Sequence, residues 1–231
     1  MCGRYAISAR RDAWATVGDY LGGAVEAALA ALEPRYNIAP ATSIPVVIQN
    51  RQTGEIALEM ARWGFVPHWW RELAPPKFST INARSEDVGH KPMWRDAFRT
   101  HRCLVPATHW YEWQEAGGVK QPYALVVDEG KVCMFAGLYS LWKPADKPEA
   151  IYTAAILTRA ASPSAAEVHD RMPLVLHPAV WRRWLDPELN EAASLKELMI
   201  DQAILETRSW KVSRAVSNWR NQGPDVLRPA S

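Results

Sequence analysis

The stretch that decides the fold runs from Trp110 to Thr158: "WYEWQEAGGVKQPYALVVDEGKVCMFAGLYSLWKPADKPEAIYTAAILT". Four runs in it have strand character: "WYEWQE", "PYALVVD", "KVCMFAGLYSLW" and "IYTAAILT". Each is rich in β-branched and aromatic residues, which suit a pleated, half-buried surface. The glycine-bearing turns "EAGGVKQ" and "DEGK" separate the first three. "WKPADKPEA" is the most linker-like stretch of the chain, yet strands flank it closely on both sides.

Outward from this block, strands alternate with short helices. Residues 11–33 read as helical with an interruption at Gly22 and Gly23. "PRYNIAPATSIPVVIQN" is a proline-punctuated loop running into a strand, and "IALEMARWGFVPHWW" a strand ending in an aromatic loop. "PPKFSTINARSED" is a loop with a short strand through Ile81, and "MWRDAFRTHRCLVPA" a short helix feeding a strand. "SPSAAEVHD" predicts a serine-capped helix, "PAVWRRWL" and "AASLKELMI" two more, and the tail one strand with a polar loop. The expectation is an α+β fold: a single domain over residues 1–231, with a largely antiparallel β-sheet or barrel-like core and short peripheral helices.

Composition narrows the function classes. The 231 residues suffice for one well-packed domain, and 48% are apolar, as in an ordinary globular protein. The net charge of +2 permits a local basic groove but not a broadly basic surface. No apolar run is long enough to cross a bilayer and the start lacks a secretory layout, so a cytoplasmic protein is expected. Cys2, Cys103 and Cys133 cannot all pair and have no C-x-x-C neighbour, which argues against a disulfide framework or zinc finger. Twelve tryptophans are the unusual number; most are expected in the core, and any exception is a flat platform for bases.

The start, "MCGRYA", places Cys2 where it becomes the first residue once Met1 is removed. Its α-amine (pKa ~7.7–8.0) and thiol (pKa ~8.5) would then be adjacent nucleophiles active near neutrality. An aldehyde meeting this pair forms an imine that the thiol closes to a five-membered thiazolidine. The same residue could serve as an acyl-transfer nucleophile, as in N-terminal nucleophile hydrolases.

Other residues invite chemistry beside a plainer role. In strand geometry Glu112 shares a face with Trp110, where desolvation raises its pKa toward acid–base use; otherwise it is an edge charge facing water. His169, at a helix end beside Asp170, is a proton carrier or a surface cap. Asn82 and Arg84 share a face of an extended segment and suit a sugar or carbonyl and a phosphate; the alternative is a turn asparagine and a surface ion pair with Glu86. Trp69 and Trp70, adjacent in a loop, suit stacking on a ligand, and Arg214 and Arg220 a phosphate path. Cys103 and Cys133 are core. No histidine shows metal-ligand spacing, so neither a metal nor a cofactor is expected.

Taken in order, "MCGRYA", "RYNIAPAT", "WGFVP", "INARSE", "RCLVPA", "YEW", "FAGLY", "HDRMPLVL" and "VSRAV" resemble the SRAP family of abasic-site-processing proteins nearly end to end. The resemblance implies a sensor and shield for abasic sites in single-stranded DNA. It implies catalytic roles for Cys2, Asn82, Glu112 and His169, with Cys2 trapping the opened sugar as a thiazolidine crosslink. It also implies self-removal of Met1 and a latent lyase activity. The expected DNA contacts are Arg4, Trp69, Trp70, Arg84, Arg171 and Arg214, and the protein is expected to be a monomer that is nucleoid-associated when bound. Two positions depart from the family pattern: His109 stands where a glycine is usual before "YEW", and Asp87 where "N-A-R-x-E-T" ends in threonine. The alternatives are an N-terminal nucleophile amidotransferase and a non-covalent single-strand binding module.

Overall fold

The computed structural model describes residues 2–127 and 131–230. Met1 and Asp128–Gly130 of the "DEGK" turn lie outside the described residues. The N-terminal segment enters β1 (Tyr5–Ile7), and a 3-10 turn at Arg11–Trp14 leads to α1 (Ala15–Leu21) and α2 (Gly23–Ala30). The expected interruption falls at Gly22, whose φ of +104° a side chain would resist. Next come β2 (Arg35–Ile38), β3 (Ser43–Gln49), β4 (Ile56–Trp63), β5 (Asn82–Arg84), α3 (Arg95–Thr100) and β6 (Arg102–Ala107). Strand β5 begins one residue beyond Ile81. The four deciding runs become β7 (His109–Ala116), β8 (Val119–Val126), β9 (Cys133–Trp142) and β10 (Ile151–Ala160). The chain ends with α4 (Pro163–Ala166), β11 (Arg171–Pro173), β12 (Val175–Leu176), α5 (Trp181–Leu185), α6 (Ala192–Asp201) and β13 (Arg208–Lys211).

These strands form two sheets. The first is antiparallel throughout, in the order β13-β8-β7-β1-β2. The second runs β11-β10-β4-β3-β6-β9-β12, and β9 also pairs directly with β10. Strands β10, β4, β3, β6 and β9 therefore close into a barrel, which removes open edges. The antiparallel expectation holds with two exceptions, since β10 pairs parallel with both β4 and β5. At Gly137 of β9 an added Cβ would stand 2.8 Å from Cys103 Sγ, so close strand packing requires glycine there.

The sheets join through aromatic rings. Tyr5 of β1 meets Trp63 edge-on at 5.3 Å and Phe135 at 6.0 Å, and Trp110 meets Phe135 at 6.1 Å. The period-two reading of β7 is borne out: Trp110 enters this main core, while Tyr111 enters a smaller cluster with Ala6, Ala124 and Val212. Seven tryptophans (14, 63, 94, 110, 142, 181, 184) are buried, and Trp69 and Trp219 are exposed. Among the described residues no helix is long and apolar enough to cross a membrane.

Two backbone features have measurable consequences. Buried Arg102 donates only to carbonyl oxygens: Nε to Trp184 at 2.6 Å, Nη1 to Phe98 at 2.9 Å and to Arg99, and Nη2 to Asp186. It thereby caps the carbonyl ends of both α3 and α5. Arg102→Met leaves those acceptors unpaired and is expected to cost about 3–5 kcal/mol, measured by urea unfolding. Arg102→Lys, lacking the fork, should recover only a minor part.

Ala41, in the turn before β3, has a φ of 66° and is the one non-glycine residue with positive φ among the described residues. Left-handed backbone costs an L-residue roughly 1–2 kcal/mol, part of which glycine returns by loosening the unfolded chain. Ala41→Gly is expected to gain about 0.5–1 kcal/mol in the same assay.

Candidate active site

Segments from both sheets meet where the chain enters β1. Cys2 is fully buried, and its carbonyl oxygen accepts a hydrogen bond from Asn82 Nδ2 at 2.8 Å. Asn82 opens β5, and its parallel register with β10, opposite Ile156, aims the amide at the N-terminal segment. Asn82 Oδ1 is buried without a hydrogen-bond partner, leaving an acceptor beside Cys2. Burial, reinforced by the charge of Glu112, pushes the Cys2 thiol well above its usual range. At neutral pH the sulfur is a thiol, and its nucleophilic use requires a nearby base.

Glu112 comes from β7, in register with Tyr123 of β8, and is 2% exposed. Burial moves its carboxyl from the usual 4.5 up to about 7. The plainer expectation of an edge charge facing water is thereby replaced. A group near 7 can donate and accept a proton at physiological pH.

His169 is delivered by α4, whose Ser162 cap accepts from the Ala165 amide. Its backbone N–H closes the turn on Ala165 O at 3.1 Å. The ring Nδ1 accepts the Arg171 backbone N–H at 3.0 Å, while Nε2 stands 3.9 Å from Glu112 Oε2. The amide can only donate and the Asp170 carboxylate can only accept, so Nδ1 answers the Arg171 amide in the neutral ring, with the proton on Nε2 toward Glu112, and Asp170 in the protonated ring. Burial lowers the His169 pKa, favouring that neutral form. Exposed Asp170, 2.8 Å from Nδ1, offers a counter-charge when the ring protonates. Glu112 and His169 open into a groove of about 780 Å³ with Trp113, Lys120, Arg214 and Ser217. Among the described residues no group of three or more His, Cys, Asp or Glu side chains could hold a metal ion.

The family model described as SOS response associated peptidase (SRAP) matches residues 1–219. The chain belongs to the SRAP family. It is 32% identical over 237 residues to the abasic site processing protein YedK of Escherichia coli, covering 99% of this chain and 100% of that protein. Identity to the abasic site processing protein YoqW of Bacillus subtilis is 29%, over 84% of this chain and 85% of that one. A phage-related protein from Bordetella bronchiseptica, of solved structure, superposes with a TM-score of 0.71 at 30% identity, over 92% of this chain and 95% of that one. A Bacteroides thetaiotaomicron structure shares the fold at 22% identity, with a TM-score of 0.76 and full coverage of both chains.

Within this SRAP fold the other expected residues fall in different places. Arg84 and Arg214 are exposed, and Arg214 lines the groove. Arg171 is held by Glu86 through two bonds of 2.6 and 2.9 Å and by Thr158 O at 2.7 Å. Glu86 thus pairs across the sheet with Arg171 instead of with its chain neighbour Arg84. Arg4 donates to Asn37 Oδ1 at 2.7 Å and Val216 O at 2.8 Å, with a long 3.5 Å contact to Ser217 O. Trp69 and Trp70 do not line the groove; Trp69 borders a separate cavity of about 270 Å³ with His68, His101 and Tyr139. Arg220 stacks over exposed Trp219 at 5.2 Å.

Residue reasoning did not single out Asn37 or Trp113. Asn37 is buried and donates to the carbonyls of Val216, Asn218 and Asn221, clamping the tail beside Arg4. Its only sequence signal is membership of "RYNIAPAT". Trp113 forms the groove wall, donating to Ser217 Oγ at 3.1 Å with Arg4 5.8 Å from its ring. His109 keeps ordinary strand backbone, so no glycine is needed there; its ring bonds Thr108 and meets Trp210 edge-on at 5.6 Å. Asp87 pairs with Lys91 at 2.6 Å.

Proposed function

We propose that this SRAP protein acts on abasic sites in single-stranded DNA and joins itself to them covalently through Cys2. The observation that carries the reading is a pair of contacts joined by charge: Asn82 donates to the Cys2 carbonyl, His169 Nε2 stands 3.9 Å from Glu112 in the groove, and the charge of Glu112 acts on the Cys2 thiol. The names of its relatives, abasic site processing proteins, support the substrate. The reading requires hydrolysis of the peptide bond between Met1 and Cys2, which we assign to the same cluster. Met1 itself lies outside the described residues.

In this mechanism protonated His169 gives its Nε2 proton to the ring oxygen of the deoxyribose hemiacetal as the C1–O bond breaks, and the C1 hydroxyl passes its proton to the Glu112 carboxylate, releasing the C1 aldehyde. The Cys2 amine adds to that carbon, one of its protons passing to the aldehyde oxygen; protonated Glu112 then gives its proton to this hydroxyl, which leaves as water, and the nitrogen lone pair forms the iminium C=N. The Cys2 thiol then adds to the iminium carbon; its proton passes to the Glu112 carboxylate and the electron pair of C=N to the N–H⁺, which becomes the neutral ring nitrogen. Aldehyde and aminothiol become thiazolidine and water. Loss of C=N removes the electron sink that would otherwise expel the 3′ phosphate, so the strand stays intact. Asn82 holds the Cys2 carbonyl, with Oδ1 free to accept a sugar hydroxyl.

For the strand, Arg84 and Arg214 are assigned to phosphates and Trp69 and Trp70 to bases outside the reacting nucleotide. Arg4 offers its longer-bonded Nη2 side, and Arg171 contacts DNA from its Glu86 pair. The protein is taken to work as a monomer in the cytoplasm, on the nucleoid when bound. The test is a single-stranded oligonucleotide with one abasic site, incubated with protein whose intact mass shows Met1 removed, then run on a denaturing gel. A heat-stable shifted band absent from the intact-base control is expected. No band sinks the proposal, and release of ammonia from glutamine would then favour an amidotransferase.

A further inference from the structure

Beyond the groove, a cavity of about 240 Å³ lies between the end of β10, the turn after β5 and helix α6. Ser85, Glu86, Arg159, Lys196, Met199 and Ile200 line it. Glu86 already has its counter-charge in the two bonds from Arg171. Neither Arg159 nor Lys196 has a carboxylate within 4 Å among the described residues, so the cavity carries two unmatched positive charges. Arg159 Nε is moreover buried with no hydrogen-bond partner. An unpaired buried N–H is costly, and an entering oxyanion supplies its acceptor.

The cavity is continuous in chain with the candidate active site. Ser85 follows Arg84, and its amide bonds Thr158 O at 2.9 Å. Arg159 follows Thr158, the residue that together with Glu86 holds Arg171, two positions beyond His169. Charge alone would suit any anion. The apolar wall of Met199 and exposed Ile200 adds a surface for a sugar face, which inorganic phosphate would leave bare.

We propose that Arg159 and Lys196 bind a backbone phosphodiester of the single strand outside the reacting nucleotide, with the Ser85 hydroxyl as a third donor and Met199 and Ile200 against its sugar. This rests on the reading of single-stranded DNA as substrate. The site adds affinity and grip on the flanking strand and takes no part in the covalent step.

The test titrates fluorescent single-stranded oligonucleotides carrying a tetrahydrofuran abasic analogue across a range of NaCl concentrations. Wild type is compared with Lys196→Glu, on the exposed face of α6, with Arg159→Met, and with charge-keeping Lys196→Arg. Loss of one phosphate contact should make the slope of log K against log salt shallower by roughly 0.7 for Lys196→Glu and Arg159→Met, and leave Lys196→Arg unchanged. On an oligonucleotide trimmed to one nucleotide on each side, all proteins should share one slope. Crosslinking at saturating abasic DNA should be equal throughout. Unchanged slopes on the long oligonucleotide with crosslinking intact overturn this site alone. Inorganic phosphate that competes at the wild-type cavity while the slopes stay equal overturns the strand assignment in favour of a free anion. A wild type that forms no crosslink and binds no single strand overturns both readings.

Discussion

Cys2→Ala, with Met1 removed, is expected to lose the heat-stable adduct by at least about 100-fold while still nicking the abasic strand. The alanine amine can form the imine, but without sulfur nothing closes the ring. The imine then either hydrolyses or eliminates the 3′ phosphate, so the shield becomes a lyase. The site makes this outcome sharp because the wild-type thiol is buried and held in place by Asn82 at the Cys2 carbonyl. One gel reads both results: the shifted band disappears and a cleaved product accumulates. A Cys2→Ala band equal in yield and heat stability to wild type would remove the thiol from the mechanism.

Glu112→Gln is expected to slow crosslinking by roughly 10²–10⁴-fold and to erase a pH dependence centred near 7. The same change should stabilise the fold. A carboxyl at about 7 in the folded protein and near 4.5 unfolded binds its proton more tightly when folded. The stability this contributes is complete below about pH 4.5 and is lost as pH rises through 7. Above that, burying the ionised form costs about 3 kcal/mol, which glutamine does not incur. Wild type and Glu112→Gln should therefore have similar unfolding midpoints near pH 4 and diverge by pH 8, with the variant the more stable. An equal midpoint at pH 8 would overturn the raised pKa of Glu112, and a crosslinking rate within threefold of wild type would remove Glu112 from the chemistry. A gain in stability accompanying a loss of rate is the signature of a strained catalytic group.

Much of this molecule is set by local sequence. Composition and short turns determined the strands from Trp110 to Thr158, and alternation in "WYEW" placed Trp110 and Glu112 on one face, because side-chain direction in a strand has period two. The serine cap before "AAEVHD" and the break at Gly22 were readable for the same reason: caps and left-handed backbone are local demands. Cys2, Asn82, Glu112 and His169 were legible as candidates by residue type and motif. Their meeting was not, since they are brought together across gaps of 30 to 80 residues by β1, β5, β7 and the turn before β11.

Only tertiary structure closed the barrel, through the parallel pairing of β10 with β4 that no turn connects. It also decided which charges are matched: Glu86 belongs to Arg171, Arg4 to Asn37 and the tail, and Arg102 to two helix ends. It kept Trp69 and Trp70 out of the groove and put Trp113 into its wall. The reason is physical. Propensity and chemistry reside in neighbouring residues, whereas burial, ion pairing and the pKa that burial sets depend on surfaces contributed by distant ones.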